Sequence, residues 1–324
     1  MEYNDYNSYL RRRFGTRVYR IALDAGFSCP NRDGTSGTGG CLFCNADGSR
    51  SGYVDPAGTA GMQLSSRIAY LKAKAGAPEG DGAKRRGPKG RGPKFIAYFQ
   101  AFTNTYADTA RLKAVYDSVL PFEDVVGISI GTRPDCVDRE KMELIAYYSG
   151  RYDVWVEYGL QSIHDRTLEA IGRGHGFGDF LGAFGLAREF GLSVSVHIII
   201  GLPGESRADI IETAKKISGL GADGVKIHLL HVLKGSRLES LYRQGQVRLL
   251  GQDEYAELVC DFLEHLSPGI VVQRLTGEGT GESHIAPSWA LDKTGTISKI
   301  RSVMEARKSC QGSRYFKGGS KVLR

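Results

Sequence analysis

Short apolar runs recur along this chain at Val18 to Leu23, Phe95 to Gln100, Val125 to Ile130, Asp153 to Leu160, Val194 to Ile200 and Val225 to Leu230. Their length and β-branched or aromatic content predict strands. Between them, apolar residues fall at helical spacing over Met62 to Ala75, Asp108 to Leu120, Arg139 to Tyr148, Phe177 to Phe190 and Arg207 to Leu220. Gly191 follows the fourth of these where a helix C-cap belongs. Gln252 to Leu266 adds a further helix and Ile270 to Leu275 a candidate last strand. Strand and helix alternate throughout, the pattern of a parallel α/β sheet, open or closed into a barrel.

Residues two apart on a strand share a face. One face of each strand is apolar: Ile21 and Leu23, Phe95 and Phe99, Ile128 and Ile130, Val154 and Val156, Val196 with Ile198 and Ile200, Val225 with Ile227 and Leu229. That face is expected under the helices. The other carries Arg20, Tyr98, Gln100, Ser129, Trp155, Glu157, Ser195, His197, Lys226 and His228. A filled barrel is lined by Val, Ile and Leu in layers; so polar a lining predicts a wet cavity instead. Glu157, His197, Lys226 and His228 are therefore substrate-contact candidates, with satisfied interior side chains as the alternative.

The ends of the strands concentrate glycine and polar residues: Gln100 to Asn104, Gly131 to Asp135, Gly159 to Ser162, Gly201 to Glu205, and Leu230-His231. Parallel α/β folds place their sites on that edge. After the first strand comes a glycine-rich loop with Cys29, Cys41 and Cys44 spaced C-x11-C-x2-C. Three thiols are one ligand short of a structural zinc site. They suit an iron–sulfur cluster with one iron left open, since electron-transfer clusters take four Cys. Zinc completed by a remote His, or buried thiols, stay open on spacing alone. Cys136, beside the Arg-Pro-Asp motif, reads as a reactive thiol or as buried filler.

Composition narrows the setting. Hydrophobics at 41% and aromatics at 10% suffice for a packed core. No apolar run is long enough to span a membrane and no apolar segment follows Arg11 to Arg13, so a cytoplasmic, membrane-free protein is expected. Six cysteines in 324 residues do not make a disulfide scaffold. The net charge of +7 is concentrated: residues 82–94 contribute +6 and 299–324 contribute +7, leaving the remainder acidic. Such local positive segments are what an RNA partner requires, or are solvated tails.

The motifs YFQAFTNTYA, IGTRPDCV, EYGLQS, HDRTL, IGRGH, HIIIGLPGE, KIHLLHVLKGS and QRLTG, together with the cysteine loop, resemble the radical S-adenosylmethionine enzymes. Within them the resemblance is to the YhcC/YtqA-like (MnmL-type) subfamily, related to the radical domain of the Elongator catalytic subunit. It runs from about Tyr3 to beyond Asp292. It implies an α/β fold: a partial (βα)6 TIM-type barrel with a small C-terminal α/β extension. The division implied is a core over 1–245, with a flexible basic insert at 76–94, and a helical extension with a basic tail over 246–324. The same resemblance implies that Cys29, Cys41 and Cys44 ligate a 4Fe-4S cluster whose open iron takes S-adenosyl-L-methionine. Phe43, Ile199, Gly201 and Leu230 would flank the adenine, Gln161 a ribose hydroxyl, Arg173 the methionine carboxylate, and Gln100 and Asn104 the amino group. Elongator-like relatives carry Glu at the position of Gly131, where a carboxylate helps hold the cofactor; Glu157 is a candidate substitute, or a partner of Lys226 or His228.

The activity implied is reductive cleavage of S-adenosylmethionine to a 5′-deoxyadenosyl radical, fed by a reduced flavodoxin or ferredoxin-type donor. The implied substrate is tRNA, whose wobble uridine would have its C5 side chain taken from carboxymethylaminomethyl to aminomethyl. A small metabolite or tetrapyrrole is the alternative substrate, and an Fe–S or zinc RNA-binding protein without radical activity the alternative of another class. Replacing Cys29, Cys41 or Cys44 by Ala is expected to abolish cluster assembly, read as loss of iron and labile sulfide after anaerobic reconstitution. Cys310→Ala is expected to leave the metal content unchanged, and full iron loading of the Cys29→Ala chain would refute the ligand set.

Overall fold

The computed structural model of the chain describes residues 2–76, 92–277 and 283–316. Seven parallel strands form one sheet in the order β1 (Val18–Leu23), β2 (Lys94–Phe99), β3 (Val125–Thr132), β4 (Asp153–Gln161), β5 (Ser193–Ile200), β6 (Gly224–Leu229) and β8 (Val271–Arg274). Between them run α2 (Ala60–Gly76), α3 (Thr109–Asp117), α4 (Arg139–Tyr147), α5 (Asp165–Ala170), α6 (Phe177–Glu189), α7 (Arg207–Leu220), α8 (Arg237–Arg243) and α9 (Gln252–His265). The chain opens with α1 (Tyr6–Phe14) and its last described helix is α10 (Lys293–Ala306); β7 (Val232–Leu233) and β9 (His284–Ala286) form a small antiparallel pair. Helix starts carry capping side chains: Asp5, Asp108, Asp138, Ser206, Ser236 and Asp292 each accept a first-turn amide. Gly221 closes α7 with φ of 72°.

The sheet curls into a half-barrel, and the alternation of its side chains sorts inside from outside. Ile21, Leu23, Phe95, Phe99, Ile128, Ile130, Val154, Val156, Val196, Ile198, Ile200, Val225, Ile227 and Leu229 all join the main core under the helices, as the pattern predicts. The six expected strands are present in sequence order, and the candidate last strand joins them as a seventh beside β6. The implied C-terminal extension is thus continuous with the barrel: β8 extends its sheet, and Tyr255, Val259, Phe262 and Leu263 of α9 belong to the same core. At the far edge the amino-terminal segment closes over β8, with Val272 N–H donating to Asn4 O at 2.8 Å.

The basic segments come out differently. Of the stretch read as a flexible insert at 76–94, residues 77–91 lie outside the described residues; Lys94 begins β2 and pairs with Asp124 at 2.8 Å. The C-terminal segment, expected as a free positive tail, is folded as far as residue 316: Ile300 and Met304 of α10 are buried. Its cations meet acids, mostly of α9. Arg307 reaches Asp261 at 3.0 Å and Glu264 at 3.2 Å, Arg314 reaches Glu264 at 3.0 Å, and Lys299 reaches Asp253 at 2.5 Å. The acidic side chains of α9 had no visible partner in the sequence, which is why this charge read as free. Among the described residues no helix is long and apolar enough to cross a membrane.

Asp261 and Glu264 are buried and share Arg307, so Arg307→Ala strips charge from two acids that keep other partners. It is expected to cost about 2 kcal/mol, below the range for leaving a buried ion wholly unpaired. A urea unfolding series would show this as a lowered midpoint.

Candidate active site

The cysteine loop is held from two sides. Leu42 N–H donates to Ile171 O, and its carbonyl accepts from Leu238 N–H, both at 2.9 Å, linking the loop to the end of α5 and the start of α8. Leu42 and Phe43 pack with Leu168, Ile171, Ile199, Leu230 and Leu238 in a second apolar cluster at this end of the barrel. The side-chain amide of Asn31 donates to the carbonyls of Gly172 at 2.9 Å and Arg173 at 2.8 Å, and to Cys41 Sγ at 3.4 Å. Cys29, Cys41 and Cys44 are all free thiols and all line one cavity of about 270 Å³.

The donor chemistry fits an iron–sulfur cluster. Arg173 Nη1 lies 3.3 Å from Cys41 Sγ, so two N–H donors, from Arg173 and Asn31, converge on one ligand sulfur; such bonds stabilise an anionic cluster. A hydrogen bond from Cys44, then the Arg173 charge, holds the Cys41 thiol well below its ordinary range despite burial. Single-ion chemistry fits less well. Among the described residues, the group of three ligand atoms within 4.8 Å of one another is His164, Asp209 and Glu212, not the cysteines. Thiolates on one tetrahedral zinc sit about 3.8 Å apart, given the Zn–S bond length.

The rim is built from strained and close-packed backbone. Gln161 and Phe102, both lining the cavity, have φ of 77° and 59°; non-glycine residues in that region collect at functional sites. Gly159 lets two side chains lie close: a Cβ there would be 2.8 Å from Arg173 Nη2 and 2.9 Å from Gln161 Nε2, so both would have to move for any larger residue. Its carbonyl accepts from Arg173 Nη2 at 2.5 Å, which orients the guanidinium at the mouth.

Deeper in, the polar strand face forms a charged cluster. Glu157, fully buried, accepts from Arg20 at 3.0 Å and from His197 Nε2 at 3.0 Å, and pairs with Lys226. Burial alone would raise its carboxyl, but the Arg20 and Lys226 charges hold it well below the usual carboxylate range. Lys226 is pushed well below an ordinary ammonium, by burial and then by Arg20, with its nitrogen 4.0 Å from the Tyr98 ring centroid. Burial, then Lys226, pushes His197 down to about 4. His228 is likewise driven well down, by burial and then by Arg274.

The candidate residues divide by position. Cys29, Cys41, Cys44, Phe43, Gln100, Glu157, Gln161, Arg173, His197, Ile199, His228 and Leu230 line this cavity. Asn104 does not: its buried amide nitrogen donates to the carbonyls of Phe99, Ala101 and Gly131, bracing the loop after β2. Gly201 also lies outside it; with φ of 96° and a Cβ position 2.9 Å from Leu250, it is a backbone requirement. Lys226 stands behind the lining, on Glu157, which is the partnership the alternative reading of Glu157 named; His228 is not bonded to Glu157 among the described residues. Cys136 is buried and its thiol is pushed up to about 12, chiefly by burial, which suits filler. Arg133 and His231, from strand-end stretches the sequence marked without a role, also line the cavity, as do Arg32, Arg50 and Arg274, which were not candidates. For Arg274 the QRLTG motif was a usable signal; Arg32 and Arg50 sit in loops without periodicity.

Comparisons with known proteins agree with this geometry. The model described as the radical SAM superfamily matches residues 37–217, and that of the radical SAM C-terminal domain matches 222–306. The chain belongs to the radical S-adenosylmethionine superfamily and, within it, to the YhcC/YtqA-like subfamily related to Elongator. It is 43% identical to "Uncharacterized protein YtqA" of Bacillus subtilis over 96% of this chain and 92% of that one, and 34% identical to "Protein YhcC" of Escherichia coli over 93% and 92%. A shorter match, 32% over 41% of this chain and 25% of the other, is to the tRNA uridine(34) acetyltransferase of Methanocaldococcus infernus. The solved Elp3 of that organism shares the fold with a TM-score of 0.64 at 18% identity, over 91% of this chain and 64% of that one. The protein is accordingly a radical SAM enzyme, of a family that uses a 4Fe-4S cluster and S-adenosylmethionine.

The buried neutral imidazole sets a pH dependence. Below pH about 6.5 an unfolded chain protonates the His197 position, whereas the folded one does not until about pH 4, so stability is full above that window and falls as pH drops through it. The urea midpoint is expected to fall from pH 7 to pH 5, and His197→Gln to show a shallower fall. An unchanged slope in that variant would refute the assignment.

Proposed function

We propose that this enzyme modifies the C5 side chain of the tRNA wobble uridine, taking carboxymethylaminomethyl to aminomethyl, in the cytoplasm and with a reduced flavodoxin or ferredoxin-type donor. The observation that carries the reading is the arginine lining of the cavity: Arg32, Arg50, Arg133, Arg173 and Arg274 face it with Glu157 as the lining acid among the described residues, and the balance stays positive even though Asp24 pairs with Arg50 and Asp135 with Arg133. A cavity of that sign suits anions, which a carboxymethylated nucleotide supplies in its carboxylate and its phosphates. The partial likeness to a tRNA uridine(34) acetyltransferase supports the same target.

When bound, the cluster and S-adenosylmethionine supply the hydrogen-abstracting chemistry. The chain's own residues position and exclude. In this reading Cys29, Cys41 and Cys44 hold the cluster, Arg173 takes the methionine carboxylate, Gln161 a ribose hydroxyl and Gln100 the amino group. Phe43, Ile199 and Leu230 cover the adenine from the apolar cluster they already share. His197 and His228 face the substrate, while Lys226 behind the lining pairs with Glu157. Asn104 and Gly201 shape the loops that hold these groups.

The test is anaerobic reconstitution with tRNA from a strain lacking this gene, followed by nucleoside mass spectrometry. Conversion of the wobble nucleoside with release of methionine and 5′-deoxyadenosine is expected. The proposal fails if wobble uridines stay unchanged and tRNA neither binds nor alters S-adenosylmethionine cleavage.

A further inference from the structure

Among the described residues, the interior of the barrel carries more fixed positive charge than carboxylate to pair with it. Arg20 and Lys226 both engage Glu157, and Arg274 lines the same space. Guanidinium groups do not lose their proton in proteins. Arg20 and Arg274 therefore keep their charges whatever Lys226 and the histidines do, and one carboxylate cannot balance both. Glu157 is already occupied by Arg20, His197 and Lys226.

Arg274 differs from the other arginines of the cavity. Arg32 donates to the carbonyls of Asn45 and Ala46, Arg50 pairs with Asp24, Arg133 with Asp135, and Arg173 is fixed on Gly159 O. Among the described residues the guanidinium of Arg274 has no hydrogen bond and no ion pair, its backbone alone being held in the ladder with β6. Its position follows from a bulge: Val225 of β6 opposes Val272, but Lys226 opposes Arg274, leaving Gln273 as the extra residue. Bulges beside active sites re-aim side chains in this way. Gln273 meets Arg20 at 3.2 Å, and Arg274 enters the cavity lining. On β6, two residues beyond Lys226, His228 is part of the same lining, with its Nε2 buried and without a partner.

A guanidinium with free N–H groups beside an unpartnered imidazole nitrogen is a receptor for a carboxylate, since both can donate to its oxygens. We propose that Arg274 and His228 bind a carboxylate carried by the substrate and thereby select it. Resting on the wobble-uridine reading, this makes the carboxymethyl end of the side chain the group recognised. Discrimination comes from leaving the half-buried Arg274 charge and the buried His228 Nε2 unpaired when the carboxylate is absent.

The test uses the reconstituted full-length enzyme and two probes, 5-carboxymethylaminomethyluridine and its carboxamide, in calorimetric titrations. The unaltered protein is expected to bind the carboxylate about 10- to 100-fold more tightly. Arg274→Gln is expected to bind both alike, with S-adenosylmethionine affinity held within about twofold, and Arg274→Lys to regain part of the preference, which separates recognition from folding. Equal binding of the two probes by the unaltered protein overturns the proposal. So does a loss of S-adenosylmethionine affinity in Arg274→Gln as large as the loss of probe affinity, which would assign Arg274 to the cofactor. If the carboxylate preference and its loss in Arg274→Gln hold while tRNA is left unmodified, the carboxylate site stands and the wobble-uridine reading falls.

Discussion

A carboxylate buried at the centre of a half-barrel organises this molecule. Glu157 sits on β4, and its partners Arg20, His197 and Lys226 come from β1, β5 and β6. In the sheet β1 and β6 are separated by four strands, yet Arg20 and Lys226 meet on one side chain. That contact requires the sheet to curl. A buried carboxylate without its cations would be unstable by several kcal/mol, so curvature and charge pairing support each other. The same cluster explains why the interior keeps a cavity: a face with Arg20, Glu157, His197 and Lys226 cannot be filled with aliphatic layers.

The cavity consequently has two ends of different character. At the mouth the cysteine loop lies on the apolar cluster of Phe43, Ile199, Leu230 and their neighbours, and Arg173 with Asn31 supplies N–H groups to a ligand sulfur. Behind it the wall is cationic and partly unsatisfied, with His228 Nε2 buried without a partner and the guanidinium of Arg274 unpaired among the described residues. Apolar surroundings exclude water from reactive species, and fixed charges orient a polar substrate. A molecule with an uncharged reacting carbon next to an anionic terminus matches that gradient along its own length.

Much of this was legible in the sequence because strands buried on one face alternate cleanly. Ile128 and Ile130 went to the core and Ser129 to the interior, as their spacing requires. Elements too short to show a period were not legible: β7 and β9 have two and three residues, and α5 and α8, with six and seven, make fewer than two turns each. The site was legible where it sat on a strand or a cysteine motif. It was hidden where a bulge broke the alternation, as at Arg274, and where a polar residue in the right loop serves the backbone, as Asn104 does. Charge misled in the tail because pairing partners fifty residues apart leave no local pattern, as with Arg307 and Glu257.

That tail has a structural consequence for the site. Gln311 donates through Nε2 to Ser267 O at 2.7 Å and Ile270 O at 2.9 Å, while its Oε1 accepts from Asn4 N–H at 2.8 Å. It therefore ties the amino-terminal segment to the turn that leads into β8. Asn4 in turn receives Val272 N–H, so three distant pieces of chain meet at the edge of the sheet. Helix α10 and Arg307 brace α9 just before that turn. The register of β8 against β6, and with it the bulge that presents Arg274, is thus fixed by residues beyond the barrel. Among the described residues the C-terminal segment holds the last strand in place, with Lys299, Arg307 and Arg314 paired to acids of α9 in doing so.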